Sequence, residues 1–258
     1  MSQHIIITGA SSGIGAALAL QYAKPNTVLG LIANSEETLA IVANQCITLG
    51  ATVKSQVLDV RNRDALNSWI TNFDQDHPID LIIANAGVTS GLGLNAESES
   101  REAIQHVIDV NLYGVINTVY PVIEPMRMRK QGHIVLVSSL AAYRGLPITP
   151  AYCASKAAVK SYGEALRGWL RADNIKVSVI CPGFVDSKMS QKFTGGKPFL
   201  LTPDQAASII IKGIRTNKAI TAFPFPLNFG TWLLSIIPNR LAELIVDHIG
   251  YGAYRQKK

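Results

Sequence analysis

Cysteine, charge and long apolar runs are all scarce in this chain of 258 residues. Its three cysteines, Cys46, Cys153 and Cys181, form neither an even disulfide framework nor a metal-ligand spacing, so we expect small buried side chains in a reducing compartment. No stretch approaches the ~20 continuous apolar residues of a membrane-spanning helix. The first strand is predicted to begin near His4, which leaves no room for a signal or transit peptide. The chain is therefore predicted to be cytoplasmic.

Clusters of basic or metal-binding side chains are missing as well. The net charge of +6 comes from lysines and arginines that are scattered, apart from residues 127–130 and the final Lys257 and Lys258. No basic stripe interleaved with aromatic residues accompanies them, which argues against nucleic-acid binding. The five histidines show no ligand spacing, so no metal site is predicted; they are His4, His77, His106, His133 and His248.

The chain does contain a regular alternation of strand-like and helix-like stretches. Seven short β-branched runs predict strands at 5–8, 27–33, 52–58, 80–84, 133–138, 176–180 and 219–223. Apolar periodicity predicts helices between them, including 14–23, 36–49, 63–73 and 152–170. This alternation predicts an α/β fold, a Rossmann-type doubly wound parallel sheet of seven strands with helices on both faces, in a single domain 1–258. Such sheets bind their ligands at the carboxyl ends of the strands.

A glycine-rich turn directly follows the first predicted strand. Residues 8–15 read Thr-Gly-Ala-Ser-Ser-Gly-Ile-Gly and open the first predicted helix. Glycines let the backbone turn sharply and approach a pyrophosphate, which the helix N-terminus attracts through its free N–H groups and its dipole. A glycine cluster alone also fits a tight turn, but the strand before it and the helix after it favour a dinucleotide site.

Tyr152, Lys156 and Ser139 carry the strongest chemical signal. Residues four apart on a helix share a face, so the Lys156 ammonium is expected beside the Tyr152 phenol. A free tyrosine titrates near pH 10, and a neighbouring cation lowers that pKa. The Ser139 hydroxyl is expected to hold a carbonyl oxygen while Tyr152 passes it a proton. Such a set predicts a carbonyl reductase or alcohol dehydrogenase, although the spacing alone also fits a surface helix.

In their order and spacing, these motifs resemble the short-chain dehydrogenase/reductase family over residues 8–187. The matching residues are Thr8, Gly9, Gly13 and Gly15 of its Thr-Gly-x3-Gly-x-Gly pattern, Asn85, Ala86 and Gly87 of Asn-Ala-Gly, Ser139, Tyr152 and Lys156 of the catalytic set, and Pro182 and Gly183 of Pro-Gly. Asn111 falls where the family carries its fourth catalytic residue. Independent coincidences at so many places are negligible.

The resemblance implies a role for each catalytic residue. Tyr152 is the expected acid–base, and Ser139 orients and polarises the substrate oxygen. Lys156 is expected to bond the nicotinamide ribose and to lower the tyrosine pKa. Asn111 is expected to hold a water that links the lysine to solvent. The implied reaction interconverts a small-molecule ketone or aldehyde with its alcohol by hydride transfer.

The resemblance also implies a set of cofactor contacts. Asp59, with Val60 after it, falls at the family's adenine contact, although a helix-capping aspartate fits equally well. Val185 and Ser187 are expected at the carboxamide, and Ser187 replaces the family's usual threonine. The implied set is Thr8, Gly9, Ser11, Ser12, Gly13, Ile14, Gly15, Asn34, Asp59, Val60, Asn85, Ala86, Gly87, Tyr152, Lys156, Pro182, Gly183, Val185 and Ser187.

The end of the second predicted strand bears on the choice between NADP(H) and NAD(H). NAD-type members of the family carry an aspartate where this chain has Ala33, and such a carboxylate repels a 2′-phosphate. Its absence favours NADP(H). Asn34 follows, in place of the arginine of many NADP-type members, and Ser12 is neutral too, so NAD(H) stays open as the alternative.

Two stretches are expected to shape the substrate site. The polar stretch 183–201 contains Gly195 and Gly196, and we expect a mobile substrate loop. Residues 223–258 form the segment that varies in the family, and we expect a lid or a subunit contact. Peripheral membrane contact is disfavoured because the polar face of this segment carries Glu243 and Asp247, and only the basic residues near the end support it.

The sequence also bears on the oligomeric state and on an alternative function. In the family, the Tyr152 helix and the helix before it, roughly 102–130, form a dimer interface, so a homodimer or homotetramer is expected. Small residues on the Tyr152 helix fit packing against the chain's own sheet equally well. A dinucleotide-binding redox sensor is the alternative function, and the complete catalytic set argues against it.

Overall fold

The sheet forms the centre of the molecule. The computed structural model describes residues 3–92, 97–191, 196–249 and 251. Within them, seven strands form one sheet in which every neighbouring pair is parallel. The strands are β1 (Gln3–Thr8), β2 (Thr27–Ala33), β3 (Thr52–Val57), β4 (Leu81–Ala84), β5 (His133–Val137), β6 (Lys176–Pro182) and β7 (Ile220–Phe223). Their order across the sheet is β3-β2-β1-β4-β5-β6-β7, which confirms the predicted doubly wound sheet.

Helices cover both faces of this sheet. The α-helices of the described residues are α1 (Gly13–Tyr22), α2 (Glu36–Thr48), α3 (Arg63–Asp76), α4 (Arg101–Ile108), α5 (Gly114–Arg129), α6 (Pro150–Leu170), α7 (Lys188–Gln191), α8 (Pro203–Arg215), α9 (Leu227–Ile236) and α10 (Asn239–His248). One core packs α1, α2 and α8 against the sheet, and the other packs α3, α5 and α6 against its opposite face.

The central strands supply both cores because successive side chains of a strand point to opposite faces. Ile5 and Ile7 of β1 belong to the first core, and Ile6 between them belongs to the second. All three are fully buried. A strand covered on both faces therefore appears in the sequence as a continuous apolar run, which is why these strands were predictable.

One predicted helical stretch is interrupted, and the C-terminal segment, for which no helix bounds were predicted, is helical. The predicted helix 102–130 is interrupted between α4 and α5 by a π-helical turn at Asp109–Tyr113. The C-terminal segment folds as two helices, α9 and α10, because Pro238 between them cannot donate a backbone hydrogen bond. Gly195 of the predicted substrate loop, and residues 250 and 252–258 of the C-terminal segment, lie outside the described residues. No helix among the described residues is long and apolar enough to cross a membrane.

Candidate active site

A tight glycine turn joins β1 to α1 at the carboxyl edge of the sheet. Gly9 (φ +66°) and Gly13 (φ +53°) adopt a positive φ that other residues rarely adopt. A Cβ on Gly9 would lie 2.8 Å from the Cα of Ala86, so the turn packs directly against the loop after β4. Ser12, the N-cap residue of α1, makes no side-chain cap bond. The start of α1 is thereby left to attract an anion.

Thr8 and Asn85 hold this turn in place. Thr8 Oγ1 accepts hydrogen bonds from the backbone N–H groups of Asn85 (3.1 Å) and Ala86 (3.3 Å). Asn85 Nδ2 donates to the carbonyl oxygens of Thr8 (3.0 Å) and Gly9 (3.2 Å). The glycine turn and the Asn-Ala-Gly loop, far apart in the chain, therefore form one hydrogen-bonded unit.

Gly15→Ala is expected to disrupt this unit and raise the Kd for the predicted nicotinamide dinucleotide at least about tenfold, because overpacking costs about 1–3 kcal/mol. A Cβ on Gly15 would lie 2.1 Å from the carbonyl oxygen of Gly9 and 2.6 Å from Asn85 Nδ2, so the backbone of the turn has to move. Isothermal titration calorimetry measures the effect. Gly168→Ala in α6 is the control, since its Cβ meets nothing within 4 Å. An unchanged affinity in Gly15→Ala would contradict the packing argument.

Asn111 lies in the π-helical turn and is fully buried. Its Oδ1 accepts a hydrogen bond from the Val88 N–H (2.8 Å), and its Nδ2 donates to the Val88 carbonyl (2.9 Å) and to Ser155 Oγ (3.0 Å). The amide thus ties the loop after β4 to the helix that carries Tyr152. Because protein groups engage both ends of this amide, the side chain positions its neighbours, and the water relay stays a prediction.

Ser139, Tyr152 and Lys156 converge where β5 ends and α6 begins. Ser139 follows β5, and its Oγ accepts a hydrogen bond from the Ala141 N–H (3.1 Å). The Ser139 hydroxyl lies near enough to the Tyr152 phenol to oppose the rise of its pKa. Lys156 Nζ donates to the Val137 carbonyl (3.0 Å) and lies 5.8 Å from the centroid of the Tyr152 ring. The three predicted residues are therefore together.

The pKa values at this site differ from the expectation. Burial raises the pKa of Tyr152 to about 12, and the nearby Ser139 hydroxyl opposes that rise. Burial also lowers the pKa of Lys156 to about 8. The expectation of a lowered tyrosine pKa is wrong for the protein alone, because desolvation of the phenol dominates. The phenol is therefore protonated near neutral pH.

One cavity of about 730 Å³ connects the glycine turn to the catalytic residues. Its lining contains most of the residues predicted to bind the cofactor or the substrate: Gly9, Ser11, Ser12, Gly13, Ile14, Asn34, Asp59, Val60, Asn85, Ala86, Gly87, Ser139, Tyr152, Lys156, Pro182, Gly183, Val185 and Ser187. Thr8, Gly15 and Asn111 do not line it and instead support the lining from behind. One cavity therefore joins the residues predicted for the cofactor to those predicted for the substrate.

The part of the cavity near Asp59 contains two residues that sequence reasoning missed. Arg61 donates hydrogen bonds to Asp59 from Nε (3.1 and 2.9 Å) and from Nη2 (2.6 Å), and its Nη1 lies 3.3 Å from His106 Nδ1. These bonds lower the pKa of the Asp59 carboxyl. Arg61 and His106 both line the cavity. The position of Arg61, two residues after Asp59, could have indicated an ion pair from the sequence. The approach of His106 on α4 depends on the tertiary fold and could not be predicted.

The far wall of the cavity comes from the C-terminal helices. Residues of α9, α10 and the turns beside them were expected only as an apolar segment, without assigned positions. The lining residues from this region are Leu227, Gly230, Thr231, Leu233, Leu234, Ile237, Ile245, Val246, Ile249 and Tyr251. Which apolar side chains face inward depends on the turn at Pro238, so periodicity alone did not separate them. Within the described residues, no group of three or more His, Cys, Asp or Glu side chains could hold a metal ion.

Known proteins of one family match this chain over most of its length. A family model described as short chain dehydrogenase matches residues 3–197. An uncharacterised oxidoreductase of Myxococcus xanthus is 36% identical over 239 residues, which cover 92% of this chain and 94% of the relative. The 17-beta-hydroxysteroid dehydrogenase 13 of Rattus norvegicus is 30% identical over 247 residues, covering 94% of this chain and 82% of the relative.

Solved structures share the fold at lower identity. A short chain dehydrogenase/reductase from Burkholderia phymatum in complex with NAD superposes with a TM-score of 0.81 at 24% identity, covering 90% of this chain and 92% of that one. A short-chain dehydrogenase from Sphingobium yanoikuyae in complex with NADPH superposes with a TM-score of 0.79 at 22% identity, covering 92% and 96%. At these identities the likeness shows the fold alone.

Proposed function

The chain belongs to the short-chain dehydrogenase/reductase family, and from that premise we propose that it reduces a ketone or aldehyde, or oxidises the alcohol, with Tyr152 as the acid–base. It is an oxidoreductase acting on CH–OH or C=O groups. The observation that carries the proposal is that Ser139 and Tyr152 lie side by side in the same cavity as the glycine turn. Two hydroxyls at one point suit a carbonyl oxygen, which accepts two hydrogen bonds.

The chain's own residues would bind the cofactor, orient the substrate and protonate its oxygen. The glycine turn and the start of α1 suit the pyrophosphate of a nicotinamide dinucleotide, and Lys156 suits its ribose hydroxyls. When bound, that group supplies or accepts the hydride. Ser139 Oγ, whose bond to the Pro182 carbonyl is long at 3.4 Å, is free to turn its proton towards a substrate oxygen. Tyr152 Oη then gives its proton to that oxygen in reduction and takes it back in oxidation.

A panel of ketones, aldehydes and alcohols, followed by nicotinamide absorbance, tests the proposal. Turnover of any carbonyl compound supports the enzyme. Tight NADPH binding with no turnover across the panel would instead favour a non-catalytic redox sensor, the alternative function. The complete set of Asn111, Ser139, Tyr152 and Lys156 supports the enzyme, since a sensor has no need of an acid–base group.

The preference for NADP(H) over NAD(H) belongs to the proposal. Ala33, at the carboxyl end of β2, lines the cavity next to Asn34 and brings no carboxylate to the adenosine ribose. Ala33→Asp is expected to change the ratio of the NADPH and NADH dissociation constants about 100-fold in favour of NADH, because a carboxylate opposite a phosphate costs several kcal/mol. Calorimetric titration with both cofactors measures this ratio.

The control for that variant is Ala33→Asn, which has nearly the same shape and no charge. It should leave the ratio within a few-fold of the original. A similar shift of the ratio in both variants would mean that the size of the new side chain, and not its charge, causes it. An unchanged ratio in Ala33→Asp would mean that the adenosine ribose does not lie beside residue 33, which would remove the argument for NADP(H).

The two reaction directions are expected to respond differently to pH. Because the pKa of Tyr152 is raised to about 12, the phenol is protonated across the neutral range. Reduction should therefore be nearly constant from about pH 6 to 9, while oxidation rises about tenfold per pH unit with the phenolate fraction. Profiles of kcat/KM at saturating cofactor measure both. An oxidation rate that levels off near neutrality would show that the raised pKa does not persist in the cofactor complex.

A homodimer or homotetramer is also part of the proposal. Large apolar side chains stand exposed along α5 and α6, including Tyr120 (72% exposed), Met128 (79%) and Trp169 (53%). Exposure on this scale suits a subunit contact. These helices correspond to the stretch that the family resemblance predicted as a dimer interface.

A further inference from the structure

The C-terminal helices divide their apolar side chains between two faces. On α9, Leu233 and Leu234 line the cavity, whereas Ile236 does not line it and is 60% exposed. On α10, Ile245 and Val246 line the cavity, whereas Leu244 does not line it and is 67% exposed. The inward face therefore forms a continuous aliphatic wall opposite the catalytic hydroxyls.

Charged groups in the cavity lining lie away from this wall or are already paired. Asp59 and Arg61 bond each other at the end where the adenine is predicted. Lys188 follows Ser187, whose Cβ lies 3.5 Å from a Cβ placed on Gly13, so this lysine is on the side of the glycine turn. Among the described lining residues, that leaves Lys156 of the catalytic set and Arg144.

Arg144 is held by the wall itself. Its Nη1 donates a hydrogen bond to Asn239 Oδ1 (2.9 Å), and its Nη2 lies 3.9 Å from Glu243 Oε1. Asn239 and Glu243 both belong to α10, so the guanidinium ties this helix to the turn after Ser139. The Glu243 carboxylate beside this guanidinium offsets its charge, which disfavours the capture of a substrate carboxylate.

The Thr231 and Thr149 hydroxyls in the cavity lining donate their hydrogen bonds to backbone carbonyls of the protein. Thr231 Oγ1 donates to the carbonyl oxygens of Leu227 and Asn228, each at 3.1 Å. Thr149 Oγ1 donates to the Ser90 carbonyl at 2.6 Å. The wall therefore offers a substrate apolar contact and few hydrogen bonds, which disfavours sugars and other polar carbonyl compounds.

Resting on the proposed function, we infer that the substrate is an uncharged, extended apolar ketone or secondary alcohol, whose hydrocarbon body lies against the inward faces of α9 and α10. The reacting oxygen would meet Ser139 and Tyr152, and the hydrocarbon would extend past Leu234 towards Ile245. Each methylene removed from water contributes a roughly constant free energy, so specificity should grow with chain length.

A series of methyl ketones from 2-butanone to 2-decanone tests the inference. We expect kcat/KM with NADPH to rise by up to about fourfold per added methylene, until the chain outgrows the wall. Equal kcat/KM across the series would overturn the inference while leaving the reductase activity intact. A keto acid preferred over the methyl ketone of equal length would also overturn it, because Arg144 would then be a carboxylate site.

Two matched pairs of variants locate the hydrocarbon. Leu234→Asp should lower kcat/KM for 2-decanone at least about tenfold more than it lowers kcat/KM for 2-butanone, because the longer chain makes more contact with the carboxylate. Ile236→Asp, on the outward face of the same helix, should change neither. The second pair is Ile245→Asp with its outward neighbour Leu244→Asp. Equal losses within each pair would reject the assigned inner face.

Direct binding separates this inference from the proposed reaction. Calorimetric titration of 2-decanone into the NADP⁺ complex should give a negative heat-capacity change, the mark of buried apolar surface. If 2-decanone binds with that signature but is never reduced, the substrate class stands and the proposed chemistry fails. If it is neither bound nor reduced, the inference itself is wrong.

Discussion

Tyr152→Phe should lower kcat about 10²- to 10⁴-fold, the range attributed to a positioned general acid. Phenylalanine keeps the ring and removes the hydroxyl that lies beside Ser139 inside the cavity. The Kd for NADPH should change less than about threefold, because the contacts proposed for the dinucleotide come mainly from the glycine turn and Lys156. Single-turnover kinetics with NADPH and calorimetric titration measure the two quantities.

Tyr162→Phe is the matched control, since Tyr162 lies on the same helix and packs against the core beneath α6. It loses a phenol without touching the cavity and should keep full turnover. Activity close to that of the original protein in Tyr152→Phe would refute the assigned acid. A loss of NADPH binding equal to the loss of turnover would mean that Tyr152 acts through the fold of the site.

The raised pKa of Tyr152 favours reduction over oxidation. A phenol with a pKa near 12 holds its proton at neutral pH, so the protein alone is prepared to reduce a carbonyl. Oxidation requires the phenolate, so it includes the free-energy cost of ionising Tyr152, which a nearby cation would lower. Lys156 Nζ lies 5.8 Å from the ring centroid, and in the protein alone burial of the phenol still raises its pKa.

The sheet and the catalytic set were predictable for two different reasons. Strands such as β1 and β2 are covered on both faces, so their central positions form an apolar run that is visible in the sequence. The site motifs lie at strand ends, where parallel topology brings distant residues to one edge. Thr8 and Asn85 therefore meet although a long stretch of chain separates them.

What was not predictable depends on irregular backbone and on desolvation. The π-helical turn that places Asn111 against Val88 has no sequence signature, because it differs from an α-helix by one inserted residue. The inward faces of α9 and α10 depend on the angle set at Pro238. The pKa of Tyr152 was predicted with the wrong sign because spacing shows a neighbouring charge but does not show burial.

Lys156→Met should raise the Kd for NADPH about 10- to 100-fold, the worth of a hydrogen bond from a charged donor. Lys156 Nζ donates to Val137 and lies 3.4 Å from a Cβ placed on Gly87, so it reaches the floor of the cavity between β4 and β5. Methionine keeps a similar stem and removes the ammonium. We expect kcat/KM to fall by at least the same factor, and calorimetry with steady-state kinetics measures both.

The same variant should not lose stability, which separates binding from folding. Burial lowers the pKa of Lys156 to about 8, so the fold holds this ammonium against an unfavourable desolvation. A buried methionine avoids that cost, and the free energy of unfolding should stay equal or rise. Lys160→Met, one turn along α6, removes a lysine paired with Glu164 and should keep the original NADPH affinity. An unchanged Kd in Lys156→Met would leave the cost of burying this ammonium without a function, and would remove the ribose contact from the proposed mechanism.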